Sequence, residues 1–153
     1  MANLSLKNQL KEIEKKLNKK IHDAMKDEVF EKVRDVMQDH IMDDVYKKYT
    51  PYSTDGKTPH YERTYKLIWD ETIDGKMIND NTLEVKNTRS ENDRNIVEVI
   101  ETGKGYEWGY TRNLDEEIGD RPFIKNTRKD LSEHGQHINA LKLGLKKRGV
   151  DVG

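Results

Sequence analysis

Histidines and clustered acidic residues are the side chains of this sequence that could bind a metal ion. His134 and His137 lie three residues apart in a predicted helix, a spacing that can place two imidazoles on one ion, but no third ligand accompanies them. His40 lies near Asp43 and Asp44 on another predicted helix, whereas hard ions usually take loop carboxylates and carbonyls. We interpret the first pair as hydrated histidines, and the wet side of a helix explains the second cluster equally well. No metal ion is predicted.

The acidic run Asp115, Glu116 and Glu117 could hold Mg²⁺ or act as an acid and a base. Side chains of consecutive residues diverge on any regular backbone, so a charged loop or a subunit contact explains the run better. The segment Gly103-Lys104-Gly105 lacks the rest of a nucleotide-binding P-loop, and no serine has the context of a nucleophile elbow. We therefore predict no catalytic residue and no cofactor, and expect that the protein is not an enzyme.

Residues 1–48 have the pattern of one long amphipathic helix or a broken helix pair. Between Leu4 and Lys48 there is neither Pro nor Gly, and apolar residues recur at steps of three and four. We predict a break near residues 23–27, where Asp27 could cap a second helix. An unbroken helix of this length would extend roughly 65 Å, so it must bend or contact another subunit.

Residues 49–153 are predicted to form an α+β domain, and the whole chain a single structural unit. Residues 82–86 alternate between polar and apolar side chains, which predicts a strand, and the segment before them is its predicted hairpin partner. Residues 96–101 fit either a strand or a short helix ended by Gly103.

Residues 103–120 are predicted to be a long functional loop, because structureless connections of this length are uncommon unless they bind something. The aromatic residues of this loop are Tyr106, Trp108 and Tyr110. They fit an interface anchor, or they cover the core of the chain itself. From Arg121 onward apolar residues recur at helical spacing, and we predict one helix to Arg148, closed by Gly149.

The composition describes a chain with little material for a core. Of its 153 residues, 33% are hydrophobic and 37% are charged, with a net charge of −1 and no cysteine. Such a chain suits an elongated or partner-dependent fold, and a dedicated nucleic-acid binder should have a clear basic excess. Residues 1–20 and 121–148 are basic while residues 49–120 are acidic, so these parts could attract each other within a chain or between neighbouring subunits. With no membrane-span or signal-peptide pattern, we expect synthesis in the cytoplasm.

Two motifs together resemble a known family. The segment Val99-Ile100-Glu101-Thr102-Gly103 precedes the helix start Arg121-Pro122-Phe123-Ile124, and this order is similar to that in tail-completion (neck, head-tail joining) proteins of tailed bacteriophages. The strand at residues 81–87 and the amphipathic tail at residues 141–145 add to the resemblance. It favours a helix at residues 96–101, and it implies a small α+β protein. For the whole chain we predict long N-terminal and C-terminal helices packed on a small antiparallel sheet.

The resemblance also implies a structural virion protein without catalytic activity. Such proteins form a homo-oligomeric ring, with six- or twelve-fold symmetry expected, between the head connector or stopper protein and the tail tube or tail terminator protein. Non-specific contact with DNA in the channel is compatible with this place. The expected assembly interface consists of Glu101, Gly103, Tyr106, Trp108, Tyr110, Asp115, Glu116, Glu117, Arg121, Pro122 and Phe123.

Two other classes of function stay open at this point. A phage DNA-processing enzyme predicts a requirement for a divalent metal ion. A coiled-coil regulatory adaptor built on residues 4–48 predicts that this helix dimerises.

Overall fold

The computed structural model of this chain describes residues 2–48, 64–105 and 119–153. Its elements are mostly helices with a few short strands, which confirms the predicted α+β fold class. Contacts divide the chain into two compact units. The first unit comprises residues 1–33, 75–85 and 135–153, and the second comprises residues 34–74 and 86–134. None of the described helices is long and apolar enough to cross a membrane.

The N-terminal elements are α1 (Ala2–Ala24), a first π-helical turn (Met25–Val29), α2 (Phe30–His40) and a second π-helical turn (Ile41–Tyr46). Where the sequence predicts a capped break near residues 23–27, the backbone continues as a helix. Ala24 and Phe30, on either side of the first π turn, both have right-handed helical dihedral angles, and no side chain caps the turn. A π turn adds a residue to one turn without ending the helix, so Asp27 has no capping role.

Two short 3₁₀ turns, Lys66–Ile68 and Asp70–Thr72, lead into the sheet. Strand β1 (Ile73–Asn79) pairs with β2 (Thr82–Asn87), and because only two residues connect them the pair is antiparallel. This pairing confirms the predicted hairpin.

A second hairpin lies between β3 (Ser90–Glu91) and β4 (Arg94–Asn95), in a stretch for which the sequence analysis predicts no strand. Its strands are two residues long, too short to show an alternating pattern. Asn92 and Asp93 between them have φ of 50° and 59°, as a tight hairpin turn requires.

Helix α3 (Ile96–Thr102) confirms the predicted short helix. The Asn95 side chain caps its start by accepting a hydrogen bond from the Glu98 N–H at 3.2 Å. Gly103 ends it with a φ of 68°, and the Gly103 N–H donates to the Val99 carbonyl.

The single helix predicted for residues 121–148 is wrong, because the structure has two helices there. They are α4 (Phe123–His134) and α5 (Gln136–Lys147). Gly135 separates them with a φ of 64°, a left-handed conformation that no right-handed helix can include. The predicted end at Gly149 is confirmed: the Val150 N–H donates to the Leu145 carbonyl and the Gly149 N–H to the Lys146 carbonyl, both at 3.0 Å.

In the first unit, α5 packs against the end of α1 and the first π turn. Gly144 makes this approach close, since a Cβ at this position would lie 2.9 Å from the Cβ of the fully buried Ala24. Arg148 then donates hydrogen bonds to Glu28 Oε2 at 2.7 Å and to Asp27 Oδ2 at 2.9 Å. The glycine that weakens α5 as a helix therefore allows its packing.

The second unit has its own apolar core. Its buried apolar residues are Val36, Met37, Ile41, Val45, Leu67, Ile73, Val97, Ile100 and Phe123. Within the part of the chain that the structure describes, Phe123 and Ile41 are the largest side chains that are completely buried. Helix α4 contacts both α3 and the second π turn, so the start of α4 lies at the centre of this unit.

Replacing Phe123 by alanine should therefore destabilise the protein. We expect Phe123→Ala to lower the free energy of unfolding by about 3 to 5 kcal/mol, through lost apolar burial and the cavity left behind. The measurement is urea unfolding followed by circular dichroism. Leu143→Ala is the control, because Leu143 is 55% exposed and its truncation should cost less than about 1 kcal/mol. Equal losses in the two variants would contradict a core centred on Phe123.

Candidate assembly site

The two motifs of the sequence meet in the second unit, where Glu101 of α3 lies at the start of α4. The Glu101 carboxylate accepts hydrogen bonds from the backbone N–H groups of Ile124 at 3.0 Å and of Lys125 at 2.9 Å. The first N–H groups of a helix have no partner within it, and a negative charge there also complements the helix dipole. Glu101 thus caps α4 from outside that helix.

Backbone contacts strengthen this junction. The Arg121 N–H donates to the Ile100 carbonyl at 2.9 Å, immediately before α4 begins. The Arg121 guanidinium is buried, 5% exposed, and its Nη1 donates to the Val45 carbonyl at 3.5 Å. Hydrogen bonds to distant segments therefore lie on both sides of Pro122. Arg121 makes those before it, and the Glu101 carboxylate makes those after it.

Gly103 brings the two ends of the predicted loop together. A Cβ on Gly103 would lie 2.4 Å from both the Asp120 nitrogen and the Gly119 carbonyl carbon, so no larger residue fits there. The Arg94 guanidinium also donates a hydrogen bond to the carbonyl of Gly105. Residues 103 and 119–120 thus lie in contact, and they form a fixed base at which the predicted loop 103–120 begins and ends.

The predicted interface residues fall into two groups. Glu101, Gly103, Arg121, Pro122 and Phe123 come together at this base, with Gly103, Arg121 and Phe123 buried and the other two half-buried. The remaining residues, Tyr106, Trp108, Tyr110, Asp115, Glu116 and Glu117, lie outside the described residues. Within the chain, the first group supports the base, and a role of either group in binding neighbours stays a prediction.

A polar cluster lies further along α4, and the sequence indicates only its His40 and Asp44. His40 Nδ1 lies 3.0 Å from Asp44 Oδ2, and His40 Nε2 lies 3.0 Å from Asp130 Oδ2. Asp44 also accepts from Asn126 Nδ2 at 2.9 Å, and Asp130 Oδ1 lies 2.8 Å from His134 Nδ1. Asp44 is only 9% exposed, so the alternative that His40 and Asp44 lie on the wet side of a helix does not hold for Asp44.

The spacing of four residues between His40 and Asp44 was a visible signal for half of this cluster. Asp130 is 90 positions from His40 in sequence, and only the packing of α4 brings it there. Among the described residues, no group of three or more histidine, aspartate and glutamate side chains could hold a metal ion. We therefore interpret the cluster as an ion-pair network between α2, the second π turn and α4.

The two carboxylates change the titration of His40. Burial of the ring acts to lower its pKa, but the hydrogen bonds to Asp130 and Asp44 and the charges of both carboxylates outweigh burial. The pKa of His40 is therefore raised above its ordinary 6.5. Lys48 Nζ lies 3.9 Å from Asp44 Oδ1 and His134 contacts Asp130, so both carboxylates have a second cationic or titratable neighbour.

This network should make stability depend on pH. A raised folded pKa means that the protonated imidazole stabilises the fold fully below the unfolded pKa of about 6.5, and that this contribution is lost as pH rises through the folded value. We expect His40→Gln to lower the free energy of unfolding by about 1 to 3 kcal/mol below pH 6 and by less at alkaline pH. Urea unfolding of both proteins across this range measures the difference.

His134→Gln is the matched control for this experiment. His134 also contacts Asp130, but its side chain is 65% exposed, so its removal should change stability little at any pH. If the loss of unfolding free energy in His40→Gln stays constant or grows with rising pH, protonated His40 does not stabilise the fold as we expect.

Comparison with known proteins gives one match. The family model described as YomN matches residues 9–147, which run from within α1 to the end of α5. No curated protein and no solved structure matches the chain. The match supports a phage-associated protein, at a coarser level than the resemblance to neck proteins implies. Because it covers most of the sequence, the chain belongs to the YomN family of phage-associated proteins.

Proposed function

We propose that this chain is a structural protein of the phage neck, a tail-completion or head-tail joining protein. The observation that supports this most directly is the junction between the two motifs, in which Glu101 caps the helix that follows Arg121 and Pro122. These are the motifs by which the sequence resembles tail-completion proteins, and the YomN match agrees with a phage origin.

The junction also suggests how the protein would assemble. Gly103 and the Glu101 cap fix the base at which residues 103 and 119–120 meet. In our proposal the predicted loop 103–120 supplies apolar anchors, Tyr106, Trp108 and Tyr110, and a negative rim of Asp115, Glu116 and Glu117. The rim would face the basic surface of a neighbour, since complementary charge guides register and partner choice.

The function is assembly, not catalysis. Copies would form a ring between the head connector or stopper protein and the tail tube or tail terminator protein. A contact that repeats head to tail closes into a ring when its rotation closes. Contacts of the ring wall with DNA would involve phosphates and would not depend on sequence.

The decisive specimen is the virion. The chain would be made in the host cytoplasm and end up at the neck, so a tagged copy should be found in purified particles and labelled between head and tail in electron micrographs. Phage lacking the gene should accumulate separate heads and tails. If the tagged protein is absent from particles that are otherwise complete, the proposal is wrong.

Neutralising the acidic rim tests the assembly surface itself. The triple variant Asp115→Asn, Glu116→Gln and Glu117→Gln should unfold like the wild type, because exposed charges contribute little to stability. It should nevertheless yield fewer infectious particles and more unjoined heads and tails, because the rim would no longer attract its neighbour. Plaque counts and electron microscopy of lysates measure this.

The matched control neutralises three exposed acidic residues elsewhere, Asp74→Asn, Asp80→Asn and Asp93→Asn. This control removes the same charge and should assemble normally. Wild-type yield in both variants would show that residues 115–117 form only a solvated loop.

A further inference from the structure

Helix α1 presents four exposed apolar side chains in a row, which we call the N-terminal seam. They are Leu6, Leu10, Ile13 and Leu17, with exposed fractions of 57%, 58%, 62% and 41%. Every side chain from residue 5 to residue 19 is exposed, so no described part of the chain covers this stretch of α1. In a chain with only 33% hydrophobic residues, four exposed apolar side chains on one helix face need an explanation.

The spacing of the seam is that of a coiled coil. The steps between its members are four, three and four residues, which places Leu10 and Leu17 at a positions and Leu6 and Ile13 at d positions of a heptad. At 3.6 residues per turn, the four side chains fall within an arc of about 60°. A helix that packs on a globular core or lies on a membrane usually has a wider apolar face, so the narrow seam favours another helix as the partner.

The C-terminal end of α1 is fixed by packing and ion pairs within the first unit. Ala24 is completely buried at the contact with α5, and Arg148 pairs with Asp27 and Glu28 in the first π turn. The helix is therefore already formed before a partner binds the seam. Binding does not have to include the unfavourable step of helix nucleation.

We propose that the N-terminal seam binds the same seam of a second copy of this chain, as an antiparallel pair of helices. In this register Leu6 lies opposite Leu17 of the partner subunit and Leu10 lies opposite Ile13 of the partner subunit. All four apolar side chains of each chain are then covered, because a positions pack against d positions in antiparallel pairs.

Charged residues beside the seam determine the antiparallel orientation. Lys7 and Glu14 occupy e positions, and e positions face each other across an antiparallel pair. Lys7 then meets the partner's Glu14, and Glu14 meets the partner's Lys7. In the parallel orientation Glu14 would instead meet the partner's Gln9, and no pair of opposite charges would form.

The contact does not depend on the proposed function in the phage neck. An antiparallel pair has two-fold symmetry and is complete with two copies, whereas a ring needs a contact that repeats head to tail. Four layers bury less surface than the roughly 1,200 Å² of a stable interface, so we expect a weak dimer whose population depends on concentration.

The first test measures the mass of the full-length protein by analytical ultracentrifugation over a range of concentrations. The wild type should shift from monomer to dimer as concentration rises, and Leu10→Asp with Ile13→Asp should stay monomeric while its circular dichroism still shows a folded protein. Leu143→Asp, at an exposed apolar residue outside the seam, should dimerise like the wild type. A wild type that stays monomeric throughout, or a control that loses the dimer equally, overturns the proposal.

A charge exchange tests the register. Lys7→Glu and Glu14→Lys should each weaken the dimer roughly fivefold to twentyfold, because attraction becomes repulsion at two symmetric sites. The double variant should restore wild-type affinity, since every pair again has opposite charges. Lys15→Glu, at the f position opposite the seam, is the control and should have little effect. Absence of restoration in the double variant overturns the antiparallel register.

A crosslinking experiment tests the orientation directly, because the chain has no cysteine. A mixture of Leu6→Cys and Leu17→Cys chains should form mixed disulfides under mild oxidation. Leu6→Cys alone should not, since two copies of position 6 lie about 16 Å apart in the antiparallel register, too far for a disulfide. Disulfides of Leu6→Cys with itself would indicate a parallel pair, and monomers that bind vesicles of anionic lipid through the seam would indicate a membrane surface. Either result overturns the proposal.

Discussion

The capping of α4 by Glu101 is the interaction on which the second unit depends. Two backbone N–H groups at the start of a helix donate to one carboxylate, and charge-assisted hydrogen bonds of this kind are stronger than neutral ones. The cap fixes where α4 begins, and it does so next to Phe123, the largest fully buried side chain among the described residues. Position and direction of α4 are thus determined at one end.

The position of the α4 start also determines which side chains further along α4 make contacts. Asn126 and Asp130 follow Phe123 by three and seven residues, so all three lie on the same face of the helix. Once Phe123 is buried, Asn126 reaches Asp44 and Asp130 reaches His40. Thr127 lies between them, 2% exposed, and its hydroxyl donates to the Phe123 carbonyl at 2.7 Å. The second unit has few apolar core residues, and these hydrogen bonds add to its packing. Their polar groups are partly buried, and buried polar groups need hydrogen-bond partners.

The first unit uses its few apolar residues differently. Its packing is concentrated where α5 meets the end of α1 and the first π turn, with Gly144 allowing the close approach. The N-terminal part of α1 has apolar residues at regular spacing, yet the described chain leaves them exposed.

The sequence by itself determined the features that depend on neighbouring residues. The helical repeat of residues 1–48, the hairpin of β1 and β2, the short α3 with its end at Gly103 and the stop at Gly149 all follow from periodicity and turn chemistry.

Only the tertiary structure decided the features that join distant residues. A glycine inside a helix costs only about 1 kcal/mol, so packing determines whether the helix bends there, breaks, as at Gly135, or continues, as at Gly144. A π turn in place of a cap at Asp27 is likewise a result of packing. The bridge from His40 to Asp130 spans 90 positions, and no local pattern encodes which two faces will meet. Local propensities are small compared with the burial that packing brings, and for that reason the sequence predicts the elements better than their contacts.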